Sequence, residues 1–383
     1  MLKLDVKKAE MKKLIFISAF LIFAQLTFAD NNQLVDFEYA KRIEIKRVDG
    51  VTYITIPKAY YGATKGLKYC LIPKKLKKLP DVKGYTIIRT PVRRIIALST
   101  TMLPYLDKLE ALEHLVAIDR IKYVNTESVV KRFNQKKILE VGSTSHLDIE
   151  LIYDLKPDLV LTFATGSKFD THQKLKTANI SYMLTCSYLE DTLLGRSEWI
   201  KLFGLLLGYE KKSNEVFEEI KKKYLHLKKV VEKIETQPSV FCNAPYKGVW
   251  YSPGGTSWIA NAFKDSKVKY KWAENDSFTA LRLNFEQVFD RALDADYWLC
   301  SSSIKWKTLK DVEKTDNRFK HFNAFKKGNI FINNKMVNKK GGNAFFEKGV
   351  VEPDLILCDF IKIFHPNLLK ERPFTFYNKI DQK

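Results

Sequence analysis

The sequence predicts an α/β fold of two Rossmann-like lobes with central parallel sheets, and three observations predict it. One local pattern occurs twice, as Glu150-Leu-Ile-Tyr-Asp-Leu-Lys-Pro157-Asp158-Leu-Val-Leu-Thr162 and as Glu286-Gln-Val-Phe-Asp-Arg-Ala-Leu293-Asp294-Ala-Asp-Tyr-Trp-Leu299. Each copy opens a short helix with an acid, breaks, and runs into an apolar strand, and the step from Glu150 to Asp158 equals that from Glu286 to Asp294. From Val92 onward apolar strand-like runs alternate with helical stretches, the mark of parallel α/β construction. Finally, 383 residues at 45% hydrophobic content give enough length and apolar mass for two cores. Two such lobes leave a cleft, a natural place for a ligand.

The N-terminus sets the compartment. Lys12-Lys13 precede the apolar run Leu14 to Ala24, and Thr27-Phe28-Ala29 place small residues before Asp30. This is the layout of a cleaved secretory signal peptide over residues 1–29, too short for a comfortable membrane span. An uncleaved anchor is the alternative, and Met11 is a second candidate start. No cysteine stands at the cleavage point, so a free, unlipidated protein is expected.

Residues 30–90 read as a β-rich N-terminal extension packed on the first lobe. Asp49-Gly50 between Arg42–Val48 and Val51–Ile56 is a hairpin signal. Leu67 to Ile88 is further strand, interrupted at Pro73-Lys74-Lys75 and Leu79-Pro80. The N-terminal lobe spans 91–195. In it Arg93–Leu98 is a buried strand, Ser99-Thr100-Thr101 caps the next helix, and Leu115–Ile118 and Ile138–Gly142 precede the Glu150 unit.

Residues 196–236 form the connector. Trp199 to Leu207 is apolar, Gly208 breaks the helix, and Val216, Phe217, Ile220, Tyr224, Leu227, Val231 and Ile234 recur at helical spacing opposite a lysine–glutamate face. A single apolar stripe fits a connector better than a coiled-coil arm. The C-terminal lobe, 237–383, opens with the strand Ser239–Cys242. An aromatic loop with Tyr246, Trp250 and Tyr251 follows, then the turn Ser252-Pro253-Gly254-Gly255 and a helix capped by Thr256 or Ser257. After the Glu286 unit, residues 352–367 close the chain as a helix stopped at Pro366.

A formal charge of +21 is compatible with nucleic acid, an anionic envelope surface, an anionic small ligand or simply a basic solvated surface. The lysines are spread along the chain, and neither zinc-finger nor RNA-recognition spacing occurs; nucleic acid is not expected. The five cysteines are widely spaced and odd in number, which fits buried apolar residues rather than a disulfide framework.

The run Arg94-Ile-Ile-Ala-Leu-Ser-Thr-Thr101, the unit Glu150 to Thr162 and the closing Asp354 to Pro366 together resemble the helical-backbone periplasmic binding proteins. These are the solute-binding subunits of ABC importers for ferric siderophores, haem and vitamin B12. The resemblance covers about residue 92 to 368, while the β-rich extension resembles a longer branch of the family. It implies two lobes joined by one long helix, a stiff hinge, a periplasmic monomer and a shallow ligand groove. The ligand implied is an iron–siderophore, haem or a corrinoid, and the partners are an ABC permease and, through it, its ATPase. An acid on each lobe engages the permease in such proteins, and Glu150 and Glu286 match those positions; stabilising a helix N-terminus is the other reading of each acid.

For the groove, Ser99, Thr100, Thr101 and Met102 follow the first strand, where α/β sheets present ligand-facing loops. Phe163 and Thr165 match a family position that offers an aromatic wall, and Tyr246, Trp250 and Tyr251 hold the corresponding loop of the second lobe. Aromatic walls suit a corrin, porphyrin or catechol; core packing and capping are the alternatives for these residues. Arg196, Arg282 and Lys305 are candidate basic contributors toward an anionic chelate, and Trp306 a candidate lid.

A metal-ion site would need converging ligands, but the six histidines show no HxH or HxxxH spacing, and His146 alone stands near a candidate residue. No nucleophile elbow, P-loop or dinucleotide fingerprint is present, so no catalytic residue, cofactor or enzymatic activity is expected. An envelope-adhering protein rests on the charge alone.

Overall fold

Asp49 and Gly50 both take positive φ, +49° and +75°, as a two-residue hairpin turn matched to strand twist requires. In this computed structural model, which describes residues 33–34, 36–77, 79–143 and 146–382, that turn organises the N-terminal sheet. The expectations for residues 1–29 lie outside the described residues. β1 (Gln33–Leu34), β2 (Glu44–Val48), β3 (Val51–Ile56) and β4 (Leu67–Pro73) pair antiparallel in order, and β5 (Thr86–Thr90) adds parallel to β4.

Two buried carboxylates, Glu190 just before the connector and Glu198 on its first helix, strap this sheet to the body. Glu198 accepts the backbone N–H groups of Glu38, Tyr39 and Ala40 at 2.9, 2.7 and 2.8 Å. Glu190 accepts those of Lys41 and Arg42 at 2.8 and 3.0 Å, and the Trp199 indole N–H at 2.8 Å. Hydrogen bonds to an ionised acceptor are roughly twice as strong as neutral ones, and five consecutive amides are satisfied this way.

The first lobe holds β6 (Ile95–Ala97), β7 (Leu115–Ile118) and β8 (Leu139–Glu140), then a small hairpin of β9 (Gly142–Ser143) and β10 (His146–Leu147), then β11 (Leu159–Thr162) and β12 (Tyr182–Leu184). Its five-stranded sheet runs β12-β11-β6-β7-β8, all parallel. Its central strands β6 and β11 are buried along their whole length, as strands covered on both faces are, while the edge strand β8 is exposed. From β6 the chain turns first to β7 and β8, then crosses to β11. The order therefore reverses between β6 and β11.

The connector runs as helices Leu193–Glu198, Ile200–Leu207 and Glu210–Val230, with Gly208 at φ +77° between the last two. On the long helix Phe217, Ile220, Tyr224 and Leu227 are buried, the predicted stripe. Gly204 permits close approach of its two final segments: a Cβ there would lie 2.1 Å from the Ser213 hydroxyl.

In the second lobe, β13 (Ser239–Cys242) leads to β14 (Pro245–Tyr246) and β15 (Val249–Ser252). Then follow β16 (Lys269–Tyr270), β17 (Leu281–Leu283), β18 (Tyr297–Cys300), β19 (Ile330–Ile332) and β20 (Asn378–Lys379). The main sheet is β16-β13-β18-β19-β20, parallel except at β20, and β14-β15-β17 form an antiparallel sheet at its mouth. Strand β20 was not anticipated. Buried Asp359, on the closing helix Pro353–Phe364, accepts the N–H groups of Thr375, Phe376 and Tyr377 at 2.8, 2.6 and 3.2 Å and steers the tail back to β19. The five cysteines are buried and unpaired.

The lobes touch beside the connector. Glu347, from the loop after β19, holds the residues that lead into the first-lobe helix Glu127–Asn134. It accepts the Thr126 N–H at 2.7 Å, the Thr126 hydroxyl at 2.5 Å and the Asn125 N–H at 2.9 Å. Gly342 meets the Tyr123 carbonyl so closely that a Cβ would lie 2.1 Å away.

Candidate ligand groove

In open α/β sheets the ligand crevice lies at the carboxyl ends of strands where the order reverses. The first lobe's crevice is bounded by the loops after β6 and β11, which carry Ser99–Thr101 and Phe163–Thr165. In the second lobe the order reverses between β13 and β18, so the loops at Asn243 and Ser301 hold the equivalent place.

Ser99 caps a short 3₁₀ turn over Thr100–Met102. Its hydroxyl accepts the Thr101 N–H at 3.3 Å and lies 2.9 Å from the Thr101 hydroxyl. Ser99, Thr100 and Thr101 keep partial exposure. Met102 does not belong with them: at 2% exposure this last residue of the turn packs in the main core, where an apolar side chain is removed from water. Phe163 is exposed and meets Tyr188 edge-on at 6.3 Å. Exposed Thr165 is held by Asp170, which accepts its N–H at 2.9 Å and its hydroxyl at 2.8 Å.

On the second lobe, Tyr246 and Tyr251 line one cavity of about 550 Å³ with Asn243, Ser301, Ser303 and Lys305. The Arg282 guanidinium stands over the Tyr251 ring at 5.8 Å and the Lys247 ammonium over Tyr246 at 5.5 Å, so aromatic faces alternate with cations at this rim. Trp250 is a correction. It is fully buried, its indole N–H donates to the Cys242 carbonyl at 2.8 Å, and it packs on Trp298 and Phe319. Strand alternation explains this: Tyr251 faces out, so Trp250 must face in. Trp306 lines the same cavity as Tyr246 and Tyr251, but as a fixed wall rather than a lid: at 6% exposure its indole N–H donates to the Thr315 hydroxyl at 2.7 Å.

Sequence reasoning missed Asn243. It adopts φ +64°, donates to the Tyr251 carbonyl at 2.8 Å and accepts the Ser301 N–H at 3.2 Å, fastening the two crevice loops together. An Asn directly after a buried strand, a residue type tolerant of positive φ, was the available signal.

Glu150 is exposed in the first turn of helix Ile149–Leu155, where Asp148 supplies the cap by accepting the Leu151 N–H at 2.9 Å. Glu286 is exposed in the first turn of helix Phe285–Ala292, capped by the Asn284–Gln287 box, with Arg318 at 3.7 Å. Neither acid is the cap, and Glu150 has no ion-pair partner among the described residues.

His365 lies 2.8 Å from the Ser266 carbonyl and His114 lies 3.3 Å from the Tyr209 hydroxyl, away from the crevice loops. Among the described residues no group of three or more His, Cys, Asp or Glu is placed to hold a metal ion, and no helix is long and apolar enough to cross a membrane.

Comparison with known proteins matches this geometry. An uncharacterised lipoprotein of Methanocaldococcus jannaschii is 24% identical, over 94% of this chain and 88% of its own length. That name runs against the expectation of an unlipidated protein, which falls on residues outside those described. A possible iron-binding periplasmic solute-binding protein of Staphylococcus epidermidis superposes with TM-score 0.57 at 19% identity, over 72% of this chain and 99% of that one. S. aureus IsdE complexed with haem superposes with TM-score 0.54 at 17% identity, over 71% and 98%. The model of the periplasmic binding protein family matches residues 95–335, and with its two parallel-sheet lobes on a helical connector the chain belongs to that family, in its helical-backbone class.

Proposed function

We propose that this protein captures a ferric siderophore or a similar iron complex in the groove between its lobes and delivers it to an ABC permease on the outer side of the membrane. The leader spelled by residues 1–29 would bring it there. The observation that carries the reading is the cavity of about 550 Å³ at the second lobe's crevice, walled by Tyr246 and Tyr251 and flanked by Lys305 and Arg282. Flat aromatic faces beside cations suit an anionic chelate with planar arms. Ser99–Thr101 and Phe163 provide the facing loops. No bond is made or broken: ligand binding shifts the lobes only as far as it favours the closed form.

Glu150 and Glu286 are proposed as the two docking acids. Each pairing with a permease arginine in water contributes about 0.2–1 kcal/mol, but two engaged together gain through effective concentration. A haem or corrinoid cargo is the second reading, favoured by the likeness to a haem-complexed neighbour.

Quenching of tryptophan fluorescence by ferric chelates, haemin and cyanocobalamin tests the proposal. Saturable one-to-one quenching by a ferric chelate, weakened by Tyr251→Ala, is the expected result. Quenching by haemin or cyanocobalamin alone selects the second reading, and none with any probe removes both.

A further inference from the structure

The N-terminal extension is seated on the first lobe. The Tyr69 hydroxyl accepts the Leu184 N–H at 3.0 Å, and Lys74 pairs with Asp158 at 3.2 Å. Tyr60 packs at Gly166, where an added Cβ would lie 3.1 Å from the ring and 3.2 Å from the Tyr61 carbonyl. Gly166 follows Thr165 on the loop after β11, so the β3–β4 loop of the extension lies at the rim of the crevice. There it reaches the second lobe. Phe278, on the loop between β16 and β17, meets the Tyr61 ring edge-on at 5.9 Å, and the Arg42 guanidinium lies 4.9 Å from the Phe278 centroid. Arg42 is itself held by Asp191 at 2.6 Å. A half-buried ring of one lobe is thus gripped by two side chains of a segment seated on the other.

Phe278 is fixed to its own lobe. The Ser277 carbonyl accepts the Thr256 N–H at 3.0 Å, and the Asp276 carbonyl accepts the Thr256 hydroxyl at 3.1 Å. The same loop passes so close to Gly254 that a Cβ there would lie 2.1 Å from the Ser277 carbonyl oxygen. The grip therefore acts on the lobe rather than on a free loop. Strand order shows where it acts: β11 and β7 lie on either side of β6, and β16 and β19 on either side of β13 and β18. Glu347 and Gly342, after β19, meet the residues after β7. Phe278, after β16, meets the extension beside the loop after β11. The lobes are tied on both flanks of the crevice.

We propose that the N-terminal extension is a brace between the lobes, holding their separation through the grip of Tyr61 and Arg42 on Phe278 while Glu347 holds the opposite flank. The edge-on ring pair and the cation beside the ring each favour the braced arrangement modestly, and a two-state lobe equilibrium responds to their sum. The brace needs no cargo. It sets the spacing of the lobes, and with it that of the exposed acids Glu150 and Glu286, before any ligand arrives.

Nitroxide labels at Lys176→Cys in the first lobe and Lys310→Cys in the second, both exposed positions, report the lobe separation by pulsed EPR; the five native cysteines are buried and escape labelling. The ligand-free, doubly labelled protein should give one sharp distance. Phe278→Ala should add a longer component about tenfold more populated than in that parent, the factor expected from losing both contacts. Tyr61→Ala should add a smaller one, and Tyr61→Phe, which keeps the ring, should match the parent. Tyr61 is 66% exposed, so its truncation carries the test should Phe278→Ala not fold. A sharp distance kept in both alanine variants overturns the proposal, even with a lowered melting temperature, since Phe278 would then only pack its own lobe. A parent already spread over two separations overturns it too. Because no ligand enters the measurement, failure of every ferric chelate, haemin and cyanocobalamin to bind would end the receptor reading while the distances still decide the brace.

Discussion

Beneath the first-lobe sheet one core cluster is aliphatic, with Ile96, Leu98, Val160 and Leu175 buried together. Beneath the second-lobe sheet the core is aromatic: Phe241 stacks on Trp298 at 4.8 Å and on Phe322 at 5.0 Å, and Trp250 stacks on Trp298 at 5.9 Å. The lobes share a five-stranded sheet whose order reverses beside its first strand, but neither the full strand order nor the core chemistry. They also share a carboxylate just before the crossover strand. Asp158, before β11, accepts the N–H groups of Arg93 and Arg94 at 2.6 and 3.1 Å, ahead of β6. Asp296, before β18, accepts the Ser239 N–H at 3.0 Å and hydroxyl at 2.9 Å, at the start of β13. Each fixes the register of two parallel neighbours whose apolar side chains would tolerate a slip. The repeat is held by polar anchors at the crossover, while volume and hydrophobicity fill the core interchangeably.

The largest expected effect concerns the exposed acids at matching helix starts. Glu150→Ala combined with Glu286→Ala should abolish cellular uptake of the ligand while the purified protein binds it unchanged. Reduced affinity would instead put these acids in the groove, and normal uptake would end their docking role. Next comes the contrast between cores. Trp298→Ala should cost about 3–5 kcal/mol and Leu175→Ala, in the aliphatic cluster, about 2–5 kcal/mol in denaturant unfolding, the excess reporting the ring stacking. A second-lobe loss no greater than the first would remove that contribution.

The smallest effect belongs to the shared anchors. At both Asp158 and Asp296 burial raises the pKa, but backbone N–H donors and a lysine outweigh it and hold the carboxyl below the usual aspartate value of 3.8. The stability each contributes is therefore complete above that pH and lost as pH falls through the lower folded value. Asp158→Asn and Asp296→Asn should each cost about 1–3 kcal/mol at pH 7 and flatten the acid limb of a stability–pH curve. If one variant alone flattens it, the anchors are not equivalent.

The equal acid-to-acid spacing in the two sequence copies pairs Asp158 with Asp294, yet Asp294 binds Lys271 at 2.6 Å and the anchor is Asp296. The second helix, Phe285–Ala292, has 8 residues against 7 in Ile149–Leu155, and a longer break follows it. Local pattern identified the repeat, and only hydrogen bonding identified the equivalent residue.

Periodicity, turn chemistry and caps are carried by neighbours in the chain. For that reason the Asp49-Gly50 hairpin, the connector's buried stripe, the strand–helix alternation and the Ser99 cap were legible from the amino acids alone. Which side of a strand meets a distant sheet is not local. Only the tertiary structure could take Met102 and Trp250 out of the groove, fix Trp306 as part of its wall, bring Asn243 into it and curl the tail back as β20. Burial of Arg196, at 3% exposure with its guanidinium over the Trp258 ring, belongs to the same class, because desolvation depends on what the rest of the chain places around a side chain.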